Sequence, residues 1–143
     1  MINVAAIQMV STTTVNENLN IAQKIIAEAV SKNAKFITLP ENFPLMARQN
    51  NDYQAIIEKF GDGPLQFFLS EQSKQHHIWL LGGTIPLESD KSDKALAASL
   101  LYNSEGECVA SYEKIHLFDV LVNELNDESY NESNIFEPGD ELV

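Results

Sequence analysis

Basic residues are scarce in this chain of 143: nine Lys and Arg stand against 21 Asp and Glu, for a formal net charge of -12. Binding to nucleic acid through backbone phosphates needs clustered cations, so that class is excluded. An anionic membrane surface is disfavoured for the same reason. Cysteine occurs once, at Cys108, so no internal disulfide can form and a secreted disulfide framework is excluded. No uninterrupted apolar run is long enough to span a bilayer. Met1-Ile2-Asn3-Val4 lacks the basic start, apolar run and cleavage site of a signal peptide. A cytoplasmic protein is expected. The glycine motifs that cradle phosphates or dinucleotides are missing, as is a Gly-x-Ser-x-Gly elbow. His76 and His77 are adjacent and so lack the spacing of a zinc pair; with His116 they are expected to be polar surface or hydrogen-bonding residues.

What is present reads as an ordinary globular α/β chain, 44% apolar and 21% charged. Residues 2–9 are a short apolar run bounded by hydroxyl residues, the pattern of a buried strand. Ser11 to Thr14 supply hydroxyls that can cap a helix. Val15, Leu19, Ala22, Ile26 and Ala29 then form one helical stripe, and Lys32-Asn33 ends it. Residues 36–39 form a second strand, halted by Pro40. A strand, a helix and a strand in so short a span make a βαβ unit with parallel strands. Glu41 falls at the carboxyl end of that second strand, the edge where ligand sites of α/β folds gather.

Further along, residues 44–52 read as loop, 53–60 as a helix and 61–64 as a turn. A second helical face runs from Leu65 to His76. Strands are expected over 78–83, 97–102 and 108–113, the last two joined by a hairpin turn at residues 104–107. Cys108, beside Val109 and Ala110, is expected to be a small buried hydrophobe and unreactive. After Lys114 there is no Lys or Arg, but there are eight acids: Asp119, Glu124, Asp127, Glu128, Glu132, Glu137, Asp140 and Glu141. Residues 119–140 read as polar and irregular, a solvated loop. Residues 141–143 look like the start of a strand.

Taken together these residues resemble the nitrilase, or carbon–nitrogen hydrolase, superfamily. Leu39-Pro40-Glu41-Asn42 after a βαβ start resembles its first signature. Asp62-Gly63-Pro64 before a helix and the run from Ile78 to Gly83 follow in order. The run from Tyr112 to Asp119 resembles the second signature, which carries the family's catalytic lysine at Lys114. Asn131-Glu132-Ser133, with Pro138-Gly139-Asp140 beyond, resembles the stretch holding its second glutamate. The Lys114 to Val120 run is most similar to the branch containing deaminated glutathione amidase, with omega-amidases next.

The resemblance implies an α-β-β-α sandwich, of which residues 1–143 hold the amino-terminal half as a partial carbon–nitrogen hydrolase domain. It implies hydrolysis of a small linear amide by a cysteine thiolate, with no metal or organic cofactor. Glu41 is then the general base, Lys114 the oxyanion stabiliser, and Glu132 the group that holds Lys114 or the substrate. The family's nucleophile follows the Pro-Gly-Asp segment, so it is expected beyond Val143; Cys108 precedes Lys114 and is in the wrong order. The full-length protein is expected to form homo-oligomers. Two rivals stand beside this reading: a non-catalytic truncated chain or pseudoenzyme serving binding or assembly, and an unrelated flavodoxin-like binding domain. The second has no phosphate loop and leaves Glu41 and Lys114 unexplained.

Overall fold

The opening apolar run yields a short strand. In the computed structural model, which describes residues 1–123 and 128–142, Val4–Ala6 (β1) pairs in parallel with Phe36–Thr38 (β2), with helix Val15–Ser31 (α1) between them. The expected βαβ unit is thus formed. Asn33 closes α1 with a φ of 64°, a left-handed turn that Asn tolerates. The start of α1 is less conventional. Thr14 occupies the capping position without a side-chain cap bond, and Thr12 Oγ1 accepts its N–H instead.

Asn18 organises this region. It is fully buried on the stripe with Ala22 and Ile26. Its Oδ1 accepts the Thr12 N–H at 2.7 Å, and its Nδ2 donates to the carbonyls of Thr12 (2.8 Å) and Pro44 (2.9 Å). Ser11 Oγ donates to the Phe43 carbonyl and the Met46 N–H to the Thr12 carbonyl. The loop after Glu41 is therefore stitched to the start of α1. Asn18→Ala leaves these backbone groups without partners, and buried unpaired groups are costly. We expect a loss of roughly 3 kcal/mol in a chemical denaturation curve; a change under about 0.5 kcal/mol, the scale of an ordinary surface substitution, would contradict this account.

The remaining strands are Trp79–Leu81 (β3), Ile85–Glu88 (β4), Ala95–Tyr102 (β5), Cys108–Glu113 (β6), Asp119–Asn123 (β7), Glu128–Asn131 (β8) and Phe136–Glu137 (β9). A seven-stranded sheet has the order β1-β2-β3-β5-β4, with β6 and β9 also on β5. Register shows how β5 serves so many partners. Leu101 pairs with both Leu81 and Ala110, and Ala95 with both Glu88 and Phe136. So β3 and β4 share one edge of β5, and β6 and β9 the other. β7 and β8 form a separate antiparallel ribbon.

Three expectations are corrected here. The helix expected over 53–60 lies instead at Asn50–Gln54 (α2). Glu58 is needed elsewhere: its backbone bonds to Pro86 and Glu88, and its buried carboxylate accepts the N–H groups of Leu65 and Gln66. Those are orphan donors in the first turn of Pro64–His76 (α3), where a negative charge is stabilised by the helix end. Strand β4 was not anticipated, because Pro86 argues against a strand. It fits at the sheet's margin, where Glu58 bridges Leu87 from a loop.

The third correction concerns residues 119–140, which are not an irregular loop. They hold β7, β8, a single 3-10 turn at Glu132–Asn134, and β9. Backbone pairing organises this polar stretch, and the buried Ile135 and Phe136 anchor it. Several of its described acids are engaged as well. Glu137 accepts from the hydroxyls of Ser89 and Ser92, and Asp140 pairs with Lys91. Glu124 and Asp127 lie outside the described residues. Glu141 and Leu142 form no strand, and Val143 also lies outside.

Alternation of side chains across the strands divides the sheet's two faces. Ile37, Leu80, Ala98, Leu100 and Tyr102 join one buried cluster with Ala22 and Ile26 of α1 and Leu65 and Leu69 of α3. Val4, Phe36 and Trp79 form a row on the opposite face, where Trp79 is 43% exposed. A smaller cluster of Ala95, Ala97, Ile135 and Phe136, flanked by Tyr53 and Leu117, sits beside the 3-10 turn. No helix among the described residues is long and apolar enough to cross a membrane.

Candidate active site

Glu41 is held by its backbone. Leu39 N–H bonds to the Leu81 carbonyl, which continues the β2–β3 ladder to the edge of the sheet. Pro40 follows, and the chain turns through Asn42, whose φ of 51° is left-handed. Thr84 Oγ1 accepts the Asn42 N–H at 2.9 Å. Gly83 allows this approach. Its φ is +53°, and a Cβ there would fall 2.0 Å from the Pro40 carbonyl oxygen. The Glu41 side chain is left about half exposed at the carboxyl end of β2.

Lys114 enters from the other side of the sheet, directly after β6. Its N–H bonds to the Ala97 carbonyl, and its own carbonyl accepts the Gly139 N–H. A Cβ on Gly139 would lie 2.6 Å from the Glu113 carbonyl oxygen, so only glycine lets the Pro138-Gly139-Asp140 segment pack this closely. Lys114 Nζ lies 2.7 Å from Glu41 Oε1 and 2.8 Å from Glu132 Oε2. The three residues singled out in the sequence, 73 and 18 positions apart, are thus brought together by one ammonium. Glu132 is the most buried of them. Its Oε2 also accepts the Phe118 N–H at 2.6 Å, and the Ser133 N–H bonds to Asp119 Oδ1, so the 3-10 turn fixes the carboxylate.

Burial by itself would depress the Lys114 ammonium, but hydrogen bonds and charges from Glu132 and Glu41 outweigh it and raise its pKa. A raised lysine pKa stabilises the folded state below the unfolded value, and that contribution is lost only as pH climbs through the folded value. Lys114 is therefore a fixed cation across neutral pH.

These groups line a cavity of about 360 Å³ with Asn42, Tyr53, Phe118, Asn131, Ile135 and Phe136. Sequence reasoning named none of Tyr53, Phe118 and Asn131 as a site residue, although Phe118 and Asn131 lie within the motifs that carry Lys114 and Glu132. Tyr53 comes from a separate segment, and no spacing signals its convergence with them. The arrangement offers a carboxylate at a half-open edge, a cation beside it and a second carboxylate behind the cation. Among the described residues no cluster of three or more His, Cys, Asp or Glu is placed to hold a metal ion.

Cys108 is not the buried residue expected. It lies exposed on β6 beside a bulge, at a groove formed with Phe60, Gly63, Phe67 and Tyr102. The strand puts it on the helix-bearing face near the sheet edge, where the hairpin leaves it uncovered. Partial desolvation pushes its thiol pKa up against a weaker opposing contact with Ala110. We expect slow alkylation at neutral pH, rising about tenfold per pH unit until the thiol ionises, because the thiolate is the nucleophile. Fast labelling that stays flat down to pH 6 would contradict this.

Comparison with known proteins bears on these residues. The family model described as carbon–nitrogen hydrolase matches residues 3–143. The chain is 34% identical to the deaminated glutathione amidase of Yersinia enterocolitica, over 99% of this chain and 49% of that protein. It is 33% identical to the human omega-amidase NIT2, over 95% of this chain and 47% of the relative. Among solved structures, the C. elegans NitFhit protein superimposes with a TM-score of 0.80 at 27% identity, over all of this chain and 35% of that one. Saccharomyces cerevisiae Nit3, a member of branch 10 of the nitrilase superfamily, gives 0.78 at 26% identity, covering 98% and 49%. The chain spans about half the length of the curated relatives it matches. Both the sheet and the order of motifs along it are those of one family: the chain belongs to the carbon–nitrogen hydrolases, and it builds the amino-terminal portion of the nitrilase-type α-β-β-α fold.

Proposed function

We propose that this chain is the amino-terminal part of an amidase that hydrolyses a small linear amide to a carboxylic acid and ammonia. In this reading residues 1–143 supply the base, the cation and the supporting carboxylate, and a cysteine beyond residue 143 supplies the nucleophile. The observation that carries it is the Lys114 ammonium held between Glu41 and Glu132 in one pocket. Cys108 supports the downstream assignment, because it lines a different groove and does not border the Glu41 pocket.

Amide carbonyls are poor electrophiles, so a thiolate is a suitable attacking group. Glu41 takes the thiol proton as sulfur bonds to the carbonyl carbon. The carbonyl oxygen becomes an oxyanion, and Lys114, with one N–H not spent on Glu41 or Glu132, stabilises it in a partly dry pocket. The C–N bond then breaks, Glu41 returns the proton to nitrogen and ammonia leaves. Water attacks the thioester, again with Glu41 accepting a proton, and the acid is released. Glu132 keeps the ammonium aimed through its bonds to Nζ and to the Phe118 N–H.

The relatives' names point to deaminated glutathione and omega-amides as first substrates to try. The test is ammonia release from these by the protein in which the chain continues past residue 143. Ammonia and carboxylic acid in equal amounts are expected, unaffected by Cys108→Ala. No ammonia from any of these substrates would sink the reading.

A further inference from the structure

Tyr53 stands on α2, away from the segments that carry the three charged residues, yet it lines the same cavity. Its ring packs edge-on against Phe136 with centroids 5.3 Å apart, so the side chain is fixed rather than swinging in solvent. A phenylalanine would satisfy that packing. The hydroxyl needs a separate explanation.

A phenol oxygen carries one proton. The carboxylates of Glu132 and Glu41 line the same pocket. Burial first, and those two carboxylates second, push the phenol above its ordinary range, so it stays protonated at any working pH. A neutral donor on a packed ring, in the wall of the pocket that holds Lys114, is suited to recognising an oxygen on a bound ligand. Lys114 serves the developing oxyanion, and its bonds to Glu41 and Glu132 leave it little capacity for a second substrate oxygen. Asn42 and Asn131 also line the cavity, and Phe118, Ile135 and Phe136 supply its apolar part.

We propose that the Tyr53 hydroxyl is a substrate-contacting donor that binds an acceptor oxygen of the amide substrate, on the α2 wall of the pocket. This rests on the amidase reading above.

The experiment compares wild type, Tyr53→Phe and Lys114→Ala in the full-length protein, with deaminated glutathione as the probe substrate and denaturation midpoints as the folding control. Tyr53→Phe should lower kcat/KM roughly tenfold, the effect of one ordinary hydrogen bond. The loss should fall mainly on KM, with the midpoint unchanged. Tyr53→Phe within twofold of wild type, while Lys114→Ala is dead, overturns the Tyr53 role and leaves the amidase reading standing. Loss of turnover in step with a lowered midpoint marks a packing role and also overturns it. No turnover by wild type removes the amidase reading and this inference with it.

Discussion

Residues 1–143 expressed alone should release no measurable ammonia from deaminated glutathione or an omega-amide, while the longer protein carrying a cysteine beyond residue 143 should release it readily. The pocket holds Glu41, Lys114 and Glu132, but acylation needs an attacking group, and Cys108 sits elsewhere with a raised thiol pKa. Removing the nucleophile of a hydrolytic constellation costs on the order of a millionfold in turnover. Circular dichroism would establish that the short chain is folded. Turnover by the short chain that vanished on Cys108→Ala would overturn the assignment of the nucleophile. A long chain that stayed inactive would favour a protein that has kept the pocket for binding alone.

Within the longer protein, Glu41→Gln and Lys114→Ala should each bring turnover down by at least about a hundredfold. Glu41→Gln is nearly isosteric and removes proton acceptance, which contributes roughly 10² to 10⁴ in rate. The new amide can still meet Lys114, so the fold should be retained. On the proposed mechanism Lys114→Ala removes the cation facing the oxyanion, an effect of about 10² to 10³ for one donor. It also leaves Glu132, mostly buried, with the Phe118 N–H but without its cation. Some loss of stability should therefore accompany Lys114→Ala and not Glu41→Gln. Lys114→Arg is a useful third variant: it keeps the charge but changes the shape of the donor. Substantial activity in Glu41→Gln would remove Glu41 as the base.

The elements that could be read from the sequence were those with a dominant local signal. The stripe from Val15 to Ala29, the Pro64 start of α3 and the Gly106 hairpin each declare themselves through period or turn chemistry. The site was legible only by resemblance, because Glu41, Lys114 and Glu132 have no local mark as partners. What stayed hidden depends on contacts between distant segments. Glu58 gave up a helical position because two strand residues and the start of α3 compete for its backbone and its carboxylate. β4 was masked by Pro86, which a marginal strand accommodates. In the β7–β8 ribbon β7 holds the short apolar run Val120 to Val122 while β8 is polar, so neither strand shows an alternation of apolar and polar residues to detect. Asn18 looked like an ordinary polar residue of a helix, although its side chain is enclosed by backbone it alone can satisfy.

The bond from Lys114 to Glu41 closes a span of 73 residues, and Glu132 adds 18 more beyond it. Such distant contacts are slow to form, because the chain entropy of a long loop is lost before the contact compensates it. A ribosome must release the polypeptide past Glu132 before all three residues can assemble. The βαβ unit, by contrast, needs only the first stretch up to β2 and can collapse early. The pocket should thus mature late in folding, and in a hydrogen-exchange pulse the β1–β2 amides should gain protection before those of Phe118 and Ser133.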